Sequence, residues 1–380
     1  MTRSMNKNVE QIQISGIRQF MNRIASIKGL IPLTIGQPDF PTPEHIKQAA
    51  IRAIEQNYTT YTQNAGTPEL RQAVHNFMKE KYDLHYDPQT EIIITNGASQ
   101  AIDTALRTIL SPGNDVLLPS PVYPGYAPII SQCGATLIYV DTTETAFKVT
   151  IEQLEASITE NTTCLILSYP SNPTGMSLDQ SELEEIASFA KRHDLFIIAD
   201  EIYSELTYGR SHVSLGTICK ERTIVINGLS KSHSMTGWRI GVLLSPEKIS
   251  AQCLKVHQYN VSCASSISQM AAVAAFSDGI NDAIPMKEAY ARRKSLMGDY
   301  LRSLNFTVLE PDGAFYFLAG IPTTESSYEF AVRMAEEAKV GVIPGTAFDP
   351  HGEGYIRLSY ACSEENIHEA FRRLRRILKS

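Results

Sequence analysis

The chain has 380 residues, 43% of them hydrophobic, which is enough to bury a large core and indicates two domains. Its 34 basic and 41 acidic residues give a net charge of −7, without the basic surface typical of nucleic-acid-binding proteins. No apolar segment approaches the roughly 18 residues of a membrane helix, and the amino end lacks an apolar signal core, so we expect a soluble, cytoplasmic protein.

Seven short apolar segments in the middle of the chain, each bounded by turn residues, predict buried strands. They lie at residues 91–95, 115–119, 136–140, 164–168, 195–199, 223–227 and 240–244. Helical periodicity between several of them, as at 99–110 and 179–193, predicts an α/β fold whose mainly parallel sheet is covered by helices on both faces. The proline-rich segment 36–43 indicates an extended connector before these elements.

The pattern changes after Pro285 to a long helical stretch. An extended segment at 306–320, a helix near 326–338 and a charged terminal helix from about Ser363 follow, which together predict a second, smaller α+β domain. The expected division is an N-terminal segment that joins the small domain, a large cofactor-binding domain and a small C-terminal domain. These cover residues 1–45, 46–284 and 285–380.

Cysteine and histidine spacing predicts neither a disulfide framework nor a metal site. The six cysteines include no C-x-x-C pair, and the nine histidines form no H-x-x-x-H or H-E-x-x-H pattern. We therefore expect reduced, mostly buried thiols and no bound metal.

Lys231 directly follows an apolar strand, within the segment GLSKSHSMTGWRIG at 228–241. Burial at a strand end lowers the pKa of a lysine, and the neutral amine can then form an imine with a carbonyl cofactor. The alternative is a solvated loop lysine, which this residue taken alone would favour.

Asp200 ends the apolar segment DLFIIAD, so its carboxylate emerges from a buried strand and needs a partner. One partner is the protonated ring nitrogen of pyridoxal 5′-phosphate (PLP), whose electron-withdrawing action depends on an acidic residue there. The alternative, a Walker B carboxylate, requires a G-x-x-x-x-G-K-[ST] loop that the sequence lacks. Dinucleotide and hydrolase glycine motifs are missing as well.

A phosphate site is indicated where a strand gives way to a helix at Gly97, Ala98 and Ser99, because backbone N–H groups at a helix start bind anions. Ser230 and Arg239 would add a hydroxyl and a guanidinium. Such turns also occur without a ligand, and a solvated structural arginine is the alternative for Arg239.

Four further residues are candidates for binding a flat ring or a carboxylate. Tyr123 follows a strand and could stack on a heteroaromatic ring or pack in the core, while Asn172 lies in a segment, SNPTG, that otherwise reads as a turn. Tyr203 is three residues beyond Asp200. Arg357 lies in an apolar strand and could bind a substrate carboxylate or an acidic neighbour.

The order of SKxxxMTGWRxG, PSNPTG, ADEIY and a late arginine in an apolar strand resembles the class I/II aminotransferases, a family of fold-type I PLP enzymes, over almost the whole chain. The resemblance implies that Lys231 is the Schiff-base lysine and then moves a proton, and that Asp200 holds the pyridinium proton. Tyr203 and Asn172 would hydrogen-bond the phenolic oxygen of the cofactor, and Tyr123 would stack on its ring.

The resemblance also implies contacts to phosphate, substrate and a second subunit. The implied phosphate ligands are Gly97, Ala98, Ser99, Ser230 and Arg239. Arg357 and Asn172 would bind the substrate α-carboxylate, which Gly36 would approach through its backbone. Tyr61 matches a tyrosine that reaches the phosphate of the neighbouring subunit, implying a homodimer with shared active sites. Gly228 departs from the pattern, since many relatives have serine there, so the phosphate site is expected to have one hydroxyl fewer.

The implied reaction moves an amino group between an L-amino acid and a 2-oxo acid in two half-reactions. The chain is most similar to the bacterial subgroup with aspartate, aromatic and N-acetyl-diaminopimelate aminotransferases, and we expect the last, with 2-oxoglutarate, in lysine biosynthesis. Alternatives are aspartate or aromatic aminotransferases and a PLP-dependent cysteine-conjugate β-lyase. A non-catalytic effector domain of a transcription regulator is more distant, because about 30 residues before IPLTIGQPDF are too few for a helix-turn-helix domain.

Overall fold

The computed structural model describes residues 3–378, which form twelve strands and fifteen α-helices. The strands are β1 (Ile31–Pro32), β2 (Ile92–Thr95), β3 (Asp115–Ser120), β4 (Thr136–Asp141), β5 (Thr162–Ser168), β6 (Phe196–Asp200), β7 (Thr223–Gly228), β8 (Gly241–Leu244), β9 (Tyr316–Gly320), β10 (Val340–Gly341), β11 (Ile343–Pro344) and β12 (Tyr355–Ser359).

The helices alternate with the strands through the middle of the chain. They are α1 (Lys7–Glu10), α2 (Gly16–Ile24), α3 (Glu44–Glu55), α4 (Pro68–Tyr82), α5 (Ala98–Ile109), α6 (Tyr126–Gln132), α7 (Ile151–Ser157), α8 (Gln180–Arg192), α9 (Leu215–Ile218), α10 (Leu229–Ser232), α11 (Glu247–Val261), α12 (Ser266–Phe276), α13 (Ala283–Ser303), α14 (Ser327–Arg333) and α15 (Glu364–Leu378). Within residues 3–378, no helix combines the length and the apolar character needed to cross a membrane.

The seven apolar segments form the seven strands of one sheet, in the order β2-β8-β7-β6-β5-β3-β4. All neighbouring pairs are parallel except those of β8, which runs antiparallel to both β7 and β2. Successive residues of β6 pack into different cores: Ile197 and Ala199 lie in one hydrophobic cluster and Ile198 in another. A sheet that is buried on both faces explains the nearly continuous apolar strands and confirms the predicted α/β fold.

Helix α8 shows how local sequence fixes the crossovers between these strands. Asp179 accepts a hydrogen bond from the backbone N–H of Glu182, whose side chain accepts one from the N–H of Asp179. This reciprocal cap satisfies two donors at the helix start, and Leu183 and Ile186 then face the core.

A second layered unit combines the carboxyl-terminal part of the chain with residues near the amino end. Strands β11, β12 and β9 form an antiparallel sheet, and β1 pairs in parallel with β10. One hydrophobic cluster contains Phe20 and Leu33 together with Phe317, Phe330 and Phe371.

Two predicted elements in this unit differ from the structure. The extended segment 306–320 is a strand only at 316–320, with Thr307 and Gly320 joined by an isolated bridge, because Pro311 and Gly313 interrupt regular pairing. The helix predicted near 326–338 is α-helical to Arg333 and continues as a π-helical turn over Met334–Ala338. The sequence analysis missed β1, β10 and β11, which have only two residues each.

Asp349 joins the carboxyl-terminal unit to the large sheet. It is buried, and its carboxylate accepts hydrogen bonds from the hydroxyl of Ser120 at 2.7 Å, the N–H of Val122 at 2.9 Å and the N–H of His351 at 3.0 Å. Because Val122 immediately precedes Tyr123, this contact fixes the chain that leaves β3 on its way to the candidate site.

Candidate active site

A cavity of about 450 Å³ lies where β5 and β6 end, between the large sheet and the carboxyl-terminal unit. The carboxyl ends of parallel strands are the usual ligand site of such sheets. Eleven of the thirteen predicted site residues line the cavity: Gly36, Ala98, Ser99, Tyr123, Asn172, Asp200, Tyr203, Ser230, Lys231, Arg239 and Arg357. The structure thus brings together residues separated by more than 300 positions in sequence. Gly97 and Tyr61 are the two that do not line it.

Lys231 lies in the single turn α10 that follows β7, and its Nζ donates a hydrogen bond to the carbonyl oxygen of Gly36 at 2.7 Å. The amine is 5.7 Å from the ring centroid of Tyr203. Burial, followed by the positive charge of Arg357, lowers the pKa of Lys231 to about 8. About a fifth of this amine is therefore neutral near pH 7.4, far more than for an ordinary lysine, and the neutral form is the one that acts as a nucleophile or a base.

Asp200 ends β6 with its carboxylate in the cavity wall, where it is 5% exposed. It accepts a hydrogen bond from the hydroxyl of Tyr126 at 2.6 Å and one from the N–H of Ile202 at 3.2 Å. Burial raises the pKa of Asp200 above its ordinary value, and the Tyr126 hydrogen bond acts in the opposite direction. A buried carboxylate with only neutral hydrogen-bond donors fits a cationic group such as a protonated pyridine nitrogen.

The predicted anion site is built around a close contact between Gly97 and Arg239. A β-carbon on Gly97, whose φ is +81°, would lie 2.4 Å from Nη2 of Arg239. Arg239 donates to the carbonyl oxygens of Thr236 at 2.9 Å and Asn96 at 3.3 Å, which holds its guanidinium beside the start of α5. Helix N–H groups, the Ser230 hydroxyl and this cation form a cradle that fits a phosphate.

Gly228 lies at the end of β7 against β8. A β-carbon at this position would lie 2.9 Å from the carbonyl oxygen of Ile240 and 3.0 Å from the α-carbon of Gly241. Glycine therefore permits the close approach of the two strands, and a larger residue would require them to shift.

Arg357 is a cation without a carboxylate partner. It is 2% exposed, and it donates to the side-chain oxygen of Asn172 at 2.9 Å and to the carbonyl oxygen of Thr34 at 2.8 Å. Within residues 3–378 no acidic side chain pairs with it, and its Nε has no hydrogen-bond partner. A buried guanidinium in a cavity wall, with no acidic partner among the described residues, is suited to bind a carboxylate from outside the chain.

Two aromatic residues of the site were missed by the sequence analysis. Tyr126 is one turn from Tyr123, and the two rings meet edge to face with centroids 5.5 Å apart. Tyr316 lies under Arg357, with 4.4 Å from the guanidinium carbon to its ring centroid, and its hydroxyl hydrogen-bonds that of Tyr203 at 3.0 Å. The spacing of three residues between Tyr123 and Tyr126 could have indicated that both rings belong to the site. Tyr316 could not be recognised, because an aromatic residue in an apolar strand usually packs in the core.

Tyr61 lies outside this cavity, in the loop between α3 and α4, with 88% of its surface exposed. Its ring is therefore not part of the active site that is formed within one chain. Its neighbours tie the loop to the far end of α11: Asn64 donates to the carbonyl oxygen of Ser262, and Ser266 donates to that of Tyr58.

Comparison with known proteins gives concordant matches over nearly the full length. The model of the aminotransferase class I and II family matches residues 28–374. A probable N-acetyl-LL-diaminopimelate aminotransferase of Bacillus subtilis is 53% identical over 97% of this chain and 94% of its own. Aromatic-amino-acid aminotransferase 2 of Thermococcus litoralis is 40% identical, covering 99% and 98%. The structure of Thermus thermophilus aspartate aminotransferase with maleate has a TM-score of 0.94 at 34% identity, covering 99% and 100%.

Chemical trapping should identify Lys231 as the lysine that binds PLP. In cofactor-free protein, PLP followed by borohydride is expected to label Lys231, at a rate that rises with pH through about 8 and levels off above it, where the neutral amine predominates. Peptide mapping gives the labelled residue, and Lys231→Ala protein, with an unchanged circular dichroism spectrum, is the control. Labelling of a different lysine at this rate would contradict the assignment.

Proposed function

Because this chain belongs to the class I and II aminotransferase family, we propose that it exchanges the amino group of N-acetyl-LL-2,6-diaminopimelate with 2-oxoglutarate, a step of lysine biosynthesis. The chain is a PLP-dependent aminotransferase. The choice of substrate rests on one observation, the 53% identity to the Bacillus subtilis relative across almost the whole of both chains. An aspartate or aromatic aminotransferase is the second candidate, favoured by relatives at 35–40% identity.

The residues around Lys231 supply the proton transfers and the orientation of the reacting groups. PLP, when bound, withdraws electrons from the substrate α-carbon and so makes its proton acidic. Asp200 keeps the proton on the ring nitrogen, which its buried position favours energetically. The neutral Nζ of Lys231 accepts the proton from the α-carbon, and its lowered pKa suits this role as a general base.

The remaining residues of the cavity position the cofactor relative to the substrate. Tyr123 would stack on the cofactor ring, and Tyr203 and Asn172 would hydrogen-bond its phenolic oxygen. The phosphate is bound by Arg239 with Ser230 and the α5 start at Gly97, Ala98 and Ser99. Chemistry and placement support these roles, because donors for the phosphate and a carboxylate for the ring nitrogen line the same cavity.

Arg357 binds the substrate α-carboxylate, with Asn172 and the backbone of Gly36 beside it. The observation behind this role is the buried guanidinium that lacks a carboxylate partner and has a free Nε. Its hydrogen bonds to Asn172 and Thr34 fix the plane of the guanidinium, so that a bidentate contact is prepared before substrate arrives.

The assembly we propose is a cytoplasmic homodimer in which Tyr61 reaches the phosphate of the partner subunit's cofactor. Tyr61 and Tyr259 are large aromatic residues with 88% and 87% of their surfaces exposed, and exposed aromatic surface of this kind marks interfaces. The six cysteines are free thiols, which fits a reducing compartment. Pairing of β1 with β10 supports the division in which residues 1–45 join the small domain 285–380 and residues 46–284 form the large domain.

A donor comparison tests the proposed substrate. The PLP-loaded protein is expected to show a kcat/KM for N-acetyl-LL-2,6-diaminopimelate at least about tenfold above those for aspartate and tyrosine, with 2-oxoglutarate as acceptor, corresponding to about 1.4 kcal/mol of discrimination. Lys231→Ala protein sets the background rate. Equal or higher kcat/KM for aspartate or tyrosine would favour the second candidate instead.

Arg357→Lys should be damaging although it keeps the charge, because lysine cannot form the bidentate contact with a carboxylate. Loss of a buried charged pair costs on the order of 3–5 kcal/mol, so kcat/KM should fall roughly a hundredfold or more for both donor and acceptor. PLP content and melting temperature should stay close to those of the wild type. Arg239→Lys, in the phosphate site, is the matched variant that should lose PLP instead. Unchanged kcat/KM in fully loaded Arg357→Lys protein would remove Arg357 from the substrate site.

Subunit mixing tests the shared site. Lys231→Ala and Tyr61→Ala each impair both sites of a homodimer, but a heterodimer of the two variants contains one site with both native residues. After random exchange of equal amounts, activity should recover to about a quarter of the wild-type value, since half of the dimers carry one intact site in two. Exchange is verified with differently tagged subunits. No recovery in proven heterodimers would argue against the role of Tyr61.

A further inference from the structure

A second cavity, of about 760 Å³, lies beside the one that contains Lys231. The two cavities share the side chains of Ile17 and Tyr123 in their walls. The second one is formed by the amino-terminal residues 11–18, the chain that follows β3 and residues 346–348. It therefore adjoins the active site at Ile17 and Tyr123, on the side of the amino-terminal helix α2.

The walls of this second cavity are mainly apolar and aromatic, with Met21, Pro128, Tyr139 and Phe348 among them. Arg18 is the only residue with a full charge among the described residues that line it. An apolar passage with a single cation is suited to an organic anion whose methylene chain lies against the walls and whose charge meets the cation.

Arg18 has no hydrogen bond or ion pair within the described part of the chain, and it is exposed. The other arginine of α2 is different: Arg23 donates to the carboxylate of Glu336 at 2.5 Å. Burial raises the pKa of Tyr123, while the charges of Arg239 and Arg18 act in the opposite direction. Arg18 and Tyr123 both line the second cavity, so the guanidinium and the Tyr123 ring face the same space.

We propose that the second cavity is the subsite for the distal end of the substrate, and that Arg18 binds the carboxylate at that end of a dicarboxylic substrate. The proposal rests on the proposed aminotransferase reaction, in which Arg357 holds the α-carboxylate. Arg357 then lines one of two adjoining cavities and Arg18 lines the other, with Ile17 and Tyr123 in the walls of both. Acceptors and donors that carry a second carboxylate are selected by both arginines, and monocarboxylates by only one.

The exposure of Arg18 sets the expected size and character of its effect. A long, unpaired side chain can reach carboxylates at different distances, so the same residue serves a short acceptor such as 2-oxoglutarate and a longer donor. Because removal of the guanidinium removes a charged hydrogen bond to the substrate, the expected loss is roughly tenfold to a hundredfold in kcat/KM. This is a smaller loss than that expected for the buried Arg357.

The kinetic test compares two acceptors in PLP-loaded Arg18→Gln. For a ping-pong reaction, kcat/KM of an acceptor does not depend on the donor, so 2-oxoglutarate and pyruvate can be compared directly. We expect kcat/KM for 2-oxoglutarate to fall about tenfold to a hundredfold and that for pyruvate to change by less than about twofold. Arg18→Lys should restore part of the loss. Arg23→Gln, on the same helix, should leave the ratio of the two values as in the wild type.

A binding measurement tests the subsite without turnover. Heptanedioate should bind the wild-type holoenzyme more tightly than heptanoate, and Arg18→Gln should reduce this preference by about tenfold or more. An unchanged preference in Arg18→Gln, or equal losses for 2-oxoglutarate and pyruvate, would overturn the proposal. If the wild-type protein transaminates none of the donors, the proposed function fails, and the dicarboxylate binding data still decide the role of Arg18.

Discussion

The structure depends on placing two opposite charges inside one cavity without letting them neutralise each other. Asp200 at the end of β6 and Arg357 in β12 are both buried, and neither has an ionic partner among the described residues. Isolated buried charges are costly, so hydrogen bonds must stabilise them. Tyr126 donates one to Asp200, and Asn172 and Thr34 accept those of Arg357. Burial, followed by the charge of Arg357, lowers the pKa of Lys231, and the charge of Asp200 opposes this shift.

The same constraint explains why the site exists only in the fully assembled chain. Arg357 reaches across from the carboxyl-terminal unit to Asn172 after β5 and to Thr34 after β1, and Lys231 donates to Gly36 in the amino-terminal segment. Asp349 adds a further link through its hydrogen bond to Ser120. Each contact joins parts of the chain that are distant in sequence, so packing of the two units and formation of the site are a single event.

Most of the large sheet could be predicted from the sequence because its strands are buried on both faces and are therefore apolar throughout. The strands β1, β10 and β11 could not be predicted, because each has only two residues and so shows no periodicity. They form strands only because a partner strand lies beside them. Asp200 and Arg357 were recognisable for a related reason, as charged residues interrupt apolar segments only when something compensates them. Tyr126 and Tyr316 were not recognised, because a buried tyrosine can either fill space in a core or donate a hydrogen bond in a site. The sequence does not distinguish these two roles.

Arg18 and Arg357 illustrate why the type of reaction is easier to read from a sequence than the substrate. Every amino-acid substrate presents an α-carboxylate at the same distance from the reacting carbon, so its partner can be a rigid, buried arginine in a strand, which stands out in an apolar segment. The distal end of the substrate varies, and its partner must lie on a surface that can adjust, here the exposed side of helix α2. An arginine on such a helix face is ordinary in any soluble protein. What distinguishes Arg18 is that, among residues 3–378, it forms no ion pair and is the one charged residue lining a mainly apolar cavity, and only the folded chain shows that.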